Sequence, residues 1–337
     1  MTSVLIVDDE PAVRDVIARW ALSCGLKPHT AGSADAALAA LRTQPCDIAI
    51  VDVMMPGHDG LWLLDQLHRE HPQIAVVLAT AYTELLDGDR SAHDYADLLV
   101  KPFQRDRFQL AVERGRYWRR DAIAESQWLS QLNVELRDGA DAIARDVARR
   151  VADEGVDELT AFAGTAAARI PRTTAHSARV ARFVGAMARD AGVCGAEAAV
   201  FDIAARFHDI GKAAVPMALL TKPSVLTDGE EIIMRRHVEV GADLLASFAA
   251  TADAAPLVRA SHEWFGGGGY PHGFAGADIP LGSRMIAVAD AYDAITQDRV
   301  YHHPVESASA VNELLRCCPM QFDPDVVDRF LRVLSRH

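Results

Sequence analysis

Short runs of apolar residues recur along the first hundred positions of the chain, and each run stops at a polar residue. The runs are Val4–Val7, Ile48–Val51, Ala75–Ala79 and Leu98–Val100. Segments with a helical period of apolar residues separate them. Continuous apolar runs between amphipathic helices are typical of a parallel sheet that is covered on both faces. The pattern therefore predicts an α/β domain in this part of the chain.

The polar residues at the ends of these runs predict a cation site. Asp8 and Asp9 follow the first run, and Asp52 follows the second. Ligands of open parallel sheets bind at the carboxyl ends of the strands, so these three carboxylates should meet there. Such a cluster is costly unless a cation neutralises it, and Mg²⁺ prefers oxygen ligands. Thr80 and Lys101 end the other two runs, and their hydroxyl and ammonium groups suit an aspartyl nucleophile that accepts a phosphoryl group.

The order D-D, D-x-x-M-P-G, T-A and K-P resembles the receiver domains of two-component response regulators over residues 1–120. The resemblance implies a flavodoxin-like fold with a five-stranded parallel sheet and a cis peptide bond before Pro102. It also implies that Asp52 is the phosphoacceptor, that the two earlier aspartates bind Mg²⁺ with it, and that the threonine and lysine contact the phosphoryl group. The alternative is a flavodoxin-like domain whose carboxylates only cap helices, and the complete ordered set disfavours it.

Residues 121–155 are predicted to form a helical connector. Two apolar stripes lie along this stretch: Leu129, Leu132 and Leu136, then Ile143, Val147 and Val151. Gly139 is expected to interrupt the helix between the stripes. The heptads are too few to establish a coiled coil, so pairing with a second copy of the chain and packing on the chain's own domains are equally open.

Residues 156–337 have a helical period, and they carry histidine and aspartate residues on apolar faces. These residues are His176, His208, Asp209, His237, His262, Asp290 and Asp293. A capping-box signal at Thr227 and Glu230 predicts the start of one long helix that includes His237, and Val258 and His262 are expected to share another helix. Burying many unpaired imidazoles and carboxylates is expensive, so the pattern predicts a shared metal centre. Mixed histidine and carboxylate ligands suit Fe, Mn, Ni or Zn.

Several motifs in this half resemble the HD-GYP subfamily of HD phosphohydrolases. They are H-D-I-G-K at 208–212, G-Y-P at 269–271, V-A-D at 288–290, D-R-x-Y at 298–301 and Q-F-D-P at 321–324. The resemblance implies an all-α helical bundle that hydrolyses cyclic di-GMP to pGpG or GMP with two divalent metal ions. One ion would be held by His176, His208, Asp209 and Asp290. The other would be held by Asp209, His237 and His262.

The same resemblance implies a set of residues around the substrate. They are Lys212, Arg299, Gly269, Tyr270 and Pro271 as substrate contacts, with Asp293 orienting a metal ligand or bound water. Cations suit the phosphates of a cyclic dinucleotide, and the tyrosine ring could stack on a guanine. A purely structural turn is the alternative for the glycines of this loop.

The chain departs from the two family patterns at several positions. Ser261 stands where the HD-GYP family usually has a histidine ligand, which should weaken the second metal site. Arg172 replaces a glutamate that holds a third ion in some members, which predicts at most two ions. Val300 and His302 alter the D-R-P-Y pattern. In the receiver, Leu98 replaces the usual aromatic residue, and Tyr95 is the candidate to take over as the switch residue.

Composition limits the remaining functions. The net charge of −13 and the sequence pI of about 5.4 disfavour a DNA-binding regulator. Five cysteines without a C-x-x-C spacing, and the absence of a signal or membrane-spanning pattern, predict a cytoplasmic protein. The expected partners are a cognate sensor histidine kinase, cyclic di-GMP, a second copy of the chain and diguanylate cyclase-type proteins. An active phosphodiesterase is favoured over a catalytically weak domain that senses cyclic dinucleotides or binds a protein.

Overall fold

The protein consists of two compact units, Met1–Trp128 and Leu129–His337. A computed structural model describes three ranges of the chain: residues 1–81, 95–297 and 307–336. The division between the units falls inside the stretch that the sequence predicts as a connector. No helix in the described ranges is both long enough and apolar enough to cross a lipid bilayer.

The first unit contains a five-stranded parallel sheet with the strand order β2-β1-β3-β4-β5, as predicted. Its strands are β1 Ser3–Val7, β2 Lys27–Ala31, β3 Ile48–Asp52, β4 Ala75–Thr80 and β5 Asp97–Val100. Four of them coincide with the predicted apolar runs. Strand β2 reads K-P-H-T-A and has no such run, because it lies at the sheet edge and buries only its last residue.

Helices cover both faces of this sheet. They are α1 Pro11–Ser23, α2 Ala34–Leu41 and α3 Gly60–Glu70. Alternate residues of a strand point to opposite faces, so Leu5 packs in one hydrophobic cluster and Ile6 packs in the other. Helices α2 and α3 contribute Ala37 and Leu63 to the first cluster, and α1 contributes Ile17 to the second. The carboxyl ends of the strands remain available for a site.

Helix α4, Arg105–Glu154, is 50 residues long and contributes to both units. The predicted break at Gly139 is wrong. A Cβ atom at this position would lie 2.7 Å from the carbonyl oxygen of Ala214. The glycine therefore permits a close approach of another segment to the helix, and the packing outweighs its low helix propensity.

The two apolar stripes of α4 lie in the core of the second unit. Their fully buried members are Leu132, Leu136, Ile143 and Val147. Packing on the chain's own domain therefore accounts for both stripes, which is one of the two interpretations that the sequence leaves open.

The described part of the second unit is helical, as predicted. Its other helices are α5 Glu158–Arg169, α6 Pro171–Asp190, α7 Gly195–Phe207, α8 Met217–Leu220, α9 Asp228–Arg235, α10 His237–Ala246, α11 Ala255–Arg259, α12 Leu281–Thr296, α13 Ser307–Arg316 and α14 Pro324–Leu334. They share one hydrophobic core, in which Phe162, Ile286 and Phe330 are almost completely buried.

Two helix predictions in this unit need correction. The capping box is present and α9 starts at Asp228, but the helix ends at Arg235 and α10 begins at His237. The amide of Arg236 bonds three residues back to Ile233, which tightens the chain at this point. Likewise α11 ends before His262, which lies in a turn. The apolar period continues through both turns, so it does not reveal them.

Two candidate metal centres

The predicted carboxylates of the receiver come together at the carboxyl ends of β1 and β3. Suitable ligand atoms of Asp8, Asp9 and Asp52 all lie within 4.8 Å of one another. Asp8 and Asp52 are buried, and Asp9 is exposed. The ammonium Nζ of Lys101 lies 2.7 Å from Asp8 Oδ2 and 2.9 Å from Asp52 Oδ2. The lysine thus neutralises part of the charge that these carboxylates concentrate.

Local packing fixes the position of Asp52. A Cβ atom on Gly60 would lie 2.1 Å from the carbonyl oxygen of Asp52, so only glycine allows α3 to begin this close to the strand. Asp59 caps that helix by accepting a hydrogen bond from the amide of Trp62 at 2.7 Å. Packing and capping therefore explain Asp59 and Gly60, which follow the D-x-x-M-P-G motif.

The remaining predicted receiver residues lie on the neighbouring strands. Thr80 ends β4 and is fully buried, and its carbonyl accepts a hydrogen bond from the amide of Lys101. The Lys101–Pro102 peptide bond is cis, as predicted. Tyr95 and Leu98 are both partly buried against the same hydrophobic cluster. Their packing does not test the suggestion that Tyr95 is the switch residue.

Electrostatics favour a protonated lysine in this site. Burial raises the pKa of Asp52 above its ordinary value, although hydrogen bonding to Lys101 opposes the change. Burial lowers the pKa of Lys101, but its hydrogen bonds to Asp52 and Asp8 more than offset this and leave the pKa raised. Lys101 is therefore a resident cation at neutral pH.

In the second unit, three histidines surround one carboxylate. The Nε2 atoms of His208 and His237 each lie 3.7 Å from Oδ1 of Asp209. His176 Nε2 lies 3.9 Å from Oδ2 of the same residue. Asp209 is buried and stands between two groups of imidazoles, which is the position that a bridging carboxylate requires.

The predicted ligands form two groups that share this aspartate. One group contains His176, His208 and Asp209, and the other contains Asp209, His237 and His262, with suitable ligand atoms within 4.8 Å of one another in each. Asp290 joins the first group, because its Oδ1 lies 3.1 Å from His176 Nε2 and 3.9 Å from His208 Nε2. The fold thus brings together all six side chains that the sequence proposes as metal ligands.

Unsatisfied polar atoms indicate that this cluster fits metal ions. Nε2 of His208, Nε2 of His237 and Oδ1 of Asp209 are buried and have no hydrogen-bond partner among the described residues. The other ring nitrogen of each histidine lies 2.8 Å from a main-chain carbonyl, of Ala205 and Met234 respectively. A ring nitrogen beside a carbonyl must carry the proton, so each Nε2 presents its lone pair. Buried lone pairs and a carboxylate oxygen directed at one point suit divalent cations.

The charge states of His237, His262, Asp209 and Asp290 agree with this fit. Burial lowers the pKa of His237 to about 3 and that of His262 to about 4, so both imidazoles are neutral at pH 7. Burial alone would raise the pKa of Asp209, but nearby Lys212 and the histidines hold it well below its usual range. Asp290 also has a lowered pKa, because hydrogen bonding to His176 and other positive neighbours outweighs its burial. Ionised carboxylates and neutral imidazoles are the forms that bind metals.

A second layer of side chains orients His176. Its Nδ1 lies 2.7 Å from Asp293 Oδ2, and Arg179 donates two hydrogen bonds to the same carboxylate, at 2.5 Å and 2.9 Å. Burial lowers the pKa of His176, but hydrogen bonds to Asp290 and Asp293 raise it to about 9 overall. Asp293 thus has the orienting contact that the sequence proposes. Arg179 is absent from that proposal, although its spacing of three residues from His176 on one helix could have indicated it.

Glycine packing brings the two ligand groups together. A Cβ atom on Gly211 would lie 1.9 Å from the carbonyl oxygen of His237, so a side chain there would separate the turn 210–213 from α10. Because Asp209 directly precedes this turn, the contact sets its distance from His237. The glycine of the H-D-I-G-K motif is therefore needed for the geometry of the site.

Ser261 does not replace the missing histidine. It is buried, and its hydroxyl donates a 2.8 Å hydrogen bond to the carbonyl of Val258 one turn earlier. The hydroxyl is thereby bonded to the main chain of its own turn. The second group retains Asp209, His237 and His262 as its ligands among the described residues.

The predicted substrate loop packs beside the second ligand group. The ring of Tyr270 stacks on that of His262, with the centroids 5.1 Å apart and the planes 12° apart. The guanidinium carbon of Arg235 lies 5.0 Å from the centroid of the same tyrosine. A Cβ atom on Gly269 would lie 2.2 Å from the amide nitrogen of Trp264, so this glycine serves the structure of the loop. Burial raises the pKa of Tyr270 to about 12, which keeps its hydroxyl protonated.

Of the two predicted phosphate contacts, the structure describes Lys212 but not Arg299. Lys212 Nζ donates a 2.8 Å hydrogen bond to Asp209 Oδ2, so this cation lies at the ligand cluster. Arg299 lies outside the described residues, as do Val300 and His302. The side chain of Arg172 is also outside the described part of the chain.

Comparison with known proteins assigns both units. The family model of the response regulator receiver domain matches residues 4–113, and that of the HD domain matches residues 161–326. The cyclic di-GMP phosphodiesterase response regulator RpfG of Xanthomonas campestris pv. campestris is 29% identical over 98% of this chain and 87% of its own length. A probable cyclic di-GMP phosphodiesterase of Vibrio cholerae is 32% identical over 98% of this chain and 77% of its own length.

A third relative matches half of the chain. A 3'3'-cGAMP-specific phosphodiesterase 2 of Vibrio cholerae is 34% identical over 50% of this chain and 33% of its own length. The two domain matches and the relatives that align with nearly the whole chain define the class of protein. This chain belongs to the family of response regulators that join a receiver domain to an HD domain of the phosphodiesterase type.

Proposed function

We propose that the HD domain of this chain hydrolyses cyclic di-GMP and that phosphorylation of Asp52 controls the reaction. The main supporting observation is that buried atoms of His208, Asp209 and His237 have no hydrogen-bond partner in the described ranges, a set that fits divalent metal ions. The names of the full-length relatives support cyclic di-GMP as the substrate. The product would be the linear dinucleotide pGpG or GMP.

The proposed metal ligands fall into two sets that share Asp209. They are His176, His208, Asp209 and Asp290 for one ion, and Asp209, His237 and His262 for the other. When bound, divalent ions lower the pKa of a water molecule and neutralise charge on a phosphodiester. Mixed nitrogen and oxygen ligands favour Fe, Mn, Ni or Zn over Mg²⁺.

The chain's own residues would position the substrate. Lys212 is partly exposed and paired with Asp209, so its ammonium would lie close to a phosphate oxygen bound near the shared carboxylate. Tyr270 extends the surface formed by the ring of His262, and its face would contact a guanine. Arg299 would contact the second phosphate, and Gly269 and Pro271 would hold the loop in place. Asp293 would keep His176 oriented through the hydrogen bond to its Nδ1.

The receiver would supply the control. A sensor histidine kinase is the expected phosphodonor, because residues 4–113 match the response regulator receiver domain. Asp52 lies beside Lys101 and two acidic residues suited to Mg²⁺. Phosphorylation would give Lys101 a new anionic partner and would draw Thr80 toward the phosphoryl group. Formation of a homodimer and binding of diguanylate cyclase-type proteins are further partner proposals from the sequence.

A second candidate function is a receptor that binds a cyclic dinucleotide without cleaving it. One observation favours it: the hydroxyl of Ser261 is bonded to the carbonyl of Val258, so the second metal group has one ligand fewer than the family pattern. A weakly held second ion would reduce turnover and leave nucleotide binding intact.

Turnover by the metal-loaded full-length chain separates the two functions. The protein would be purified anaerobically, supplied with Fe²⁺ or Mn²⁺, and assayed with cyclic di-GMP and with 3',3'-cGAMP. We expect a linear product from cyclic di-GMP, a loss of at least about a thousandfold in His208→Ala, and full activity in the control His58→Ala, whose histidine is exposed in the receiver. Binding of nucleotide without cleavage by the wild type would establish the receptor instead.

A further inference from the structure

Glu263 directly follows the candidate metal ligand His262 in the chain, but its carboxylate contacts a different part of the site. It is only 3% exposed, and its Oε1 accepts a 2.7 Å hydrogen bond from the amide of His272. Its other oxygen is buried without a hydrogen-bond partner among the described residues. Glu263 belongs to neither group of converging ligand atoms, although His262 does. The carboxylate is therefore directed at the loop beyond Tyr270.

The loop 264–272 approaches the turn of His262 very closely. A Cβ atom on Gly269 would lie 2.5 Å from the Cα atom of Glu263, so the two segments are in main-chain contact. The amide of Tyr270 donates a 3.2 Å hydrogen bond to the carbonyl of His262. The hydrogen bond from His272 to Glu263 closes the same loop two residues later. Tyr270 is thus held between one main-chain and one side-chain hydrogen bond to consecutive residues.

We propose that Glu263 is a positioning residue that fixes Tyr270 against His262 and so sets the affinity for the cyclic dinucleotide. A buried side-chain oxygen is costly to desolvate unless it accepts a hydrogen bond, and the His272 amide supplies that bond to Oε1. Without this bond the loop retains the Tyr270 amide bond and the Gly269 contact but loses its second anchor. The inference rests on the proposed function for its substrate, whereas the anchoring of the loop stands on geometry alone.

Two substitutions at Glu263 distinguish the effect of its side-chain length from the effect of its charge. Glu263→Gln keeps the length of the side chain and a carbonyl acceptor, so it should retain the bond to His272. Glu263→Asp keeps the charge but is one methylene shorter, so it should lose the bond. If Glu263 positions the loop, the glutamine variant should resemble the wild type and the aspartate variant should not. A metal ligand or a purely electrostatic role would give the opposite order.

The experiment combines three measurements on full-length, metal-loaded protein: bound metal, amide exchange of residues 264–276, and the KM and kcat for cyclic di-GMP. In Glu263→Asp we expect unchanged metal content, faster exchange in this segment and a KM raised by about tenfold, with a smaller change in kcat. In Glu263→Gln, the metal content, the amide exchange and the kinetic constants should all stay close to those of the wild type. The control is Glu197→Ala, which removes an exposed glutamate from the first turn of α7.

Each outcome decides the inference. Loss of metal in Glu263→Asp, or unchanged exchange and KM, would overturn the positioning role. Combining Glu263→Asp with Tyr270→Ala should raise KM by less than the product of the separate effects, because both act through the same ring. If the wild type neither binds nor cleaves cyclic di-GMP, the proposed function fails, and the exchange of residues 264–276 still tests whether Glu263 anchors the loop.

Discussion

The two acidic clusters of this chain balance their negative charge in different ways. In the receiver, Lys101 lies within 2.9 Å of both buried carboxylates and is itself a cation of the protein. In the HD domain, Asp209 lies among histidines, of which His237 is neutral at pH 7, and several buried atoms there have no hydrogen-bond partner among the described residues. The first cluster is partly neutralised without a metal ion, whereas the second leaves lone pairs that a metal ion would satisfy.

This difference predicts different lifetimes for the two kinds of metal ion. Exposed Asp9 and a competing lysine suit Mg²⁺ that exchanges readily with solvent. Histidine ligands whose second nitrogens are fixed by carbonyls suit ions that stay bound, because the ligand geometry already exists. The regulatory site and the catalytic site would thus differ in metal type and retention.

The largest expected effect comes from removing the receiver's own cation. Lys101→Met leaves Asp8 and Asp52 without their shared partner, which should cost about 3 kcal/mol of receiver stability. Mg²⁺ should then raise the melting temperature of the variant by more than it does for the wild type. Calorimetry with and without Mg²⁺ would measure this. The control is Lys27→Met on the exposed edge strand, and an equal Mg²⁺ effect in all three proteins would refute the role of Lys101.

The second-largest expected effect is a dependence of folding stability on pH, in protein from which EDTA has removed the metal ions. Between pH 6.5 and about 4, the unfolded chain protonates His237 and His262 but the folded chain does not, so stability should fall as the pH falls. The pKa of His176 is raised to about 9 in the folded chain. Its contribution to folding stability is therefore fully present below pH 6.5 and is lost as the pH rises toward 9.

The metal-free HD domain should therefore be most stable near pH 6.5. Each proton should change its stability by about 1.4 kcal/mol per pH unit within its window. Calorimetric scans from pH 5 to pH 9 would locate the maximum. A steady rise or a steady fall of stability across this range would show that these three histidines do not have the assigned protonation states.

A smaller effect is expected from the layer behind His176. Arg179→Gln removes the two guanidinium hydrogen bonds to Asp293, so His176 should be less well oriented and metal affinity should fall by roughly tenfold to a hundredfold. Competition with a chelating dye would measure the affinity. Arg182→Gln, at an exposed position on the same helix, should leave it unchanged, and equal losses in both variants would indicate a general effect of charge.

The smallest expected effect sharpens the contrast between the two metal positions. Ser261→His should tighten the weaker ion by roughly tenfold and leave the stronger ion unchanged. Ser261→Ala, which removes only the hydrogen bond to Val258, should alter neither affinity. Calorimetric titration with Mn²⁺ would resolve the two steps. Weaker binding in the histidine variant would show that the side chain does not reach the ion.

The sequence predicts the receiver well because strand position and chemistry coincide there. An apolar run that ends at Asp52 or Lys101 specifies both a strand and the edge of the sheet where its last residue lies. The edge strand β2 is not predicted in this way, because it buries little apolar surface and has no apolar run. The candidate ligands of the HD domain are also predictable, since a buried histidine such as His208 or His237 requires a partner.

Features that depend on close main-chain contact are not predictable in the same way. Gly139 has a low helix propensity, and only the nearby carbonyl of Ala214 explains why the helix continues through it. The helix break before His237 and the contact of Glu263 with the amide of His272 depend on individual hydrogen bonds. These bonds leave the apolar period of the sequence unchanged. Arg179, in contrast, is predictable from the sequence, because it lies one helical turn from His176.

Metal retention tests the central claim most directly. Full-length wild type and His208→Ala would be loaded with Mg²⁺ and Mn²⁺, dialysed against metal-free buffer without chelator, and analysed for metal content. We predict that the wild type keeps at least one Mn²⁺ per chain and loses Mg²⁺, and that His208→Ala keeps neither ion. Equal loss of both ions from the wild type, or equal Mn²⁺ in both proteins, would contradict the assignment of a resident metal centre to the HD domain.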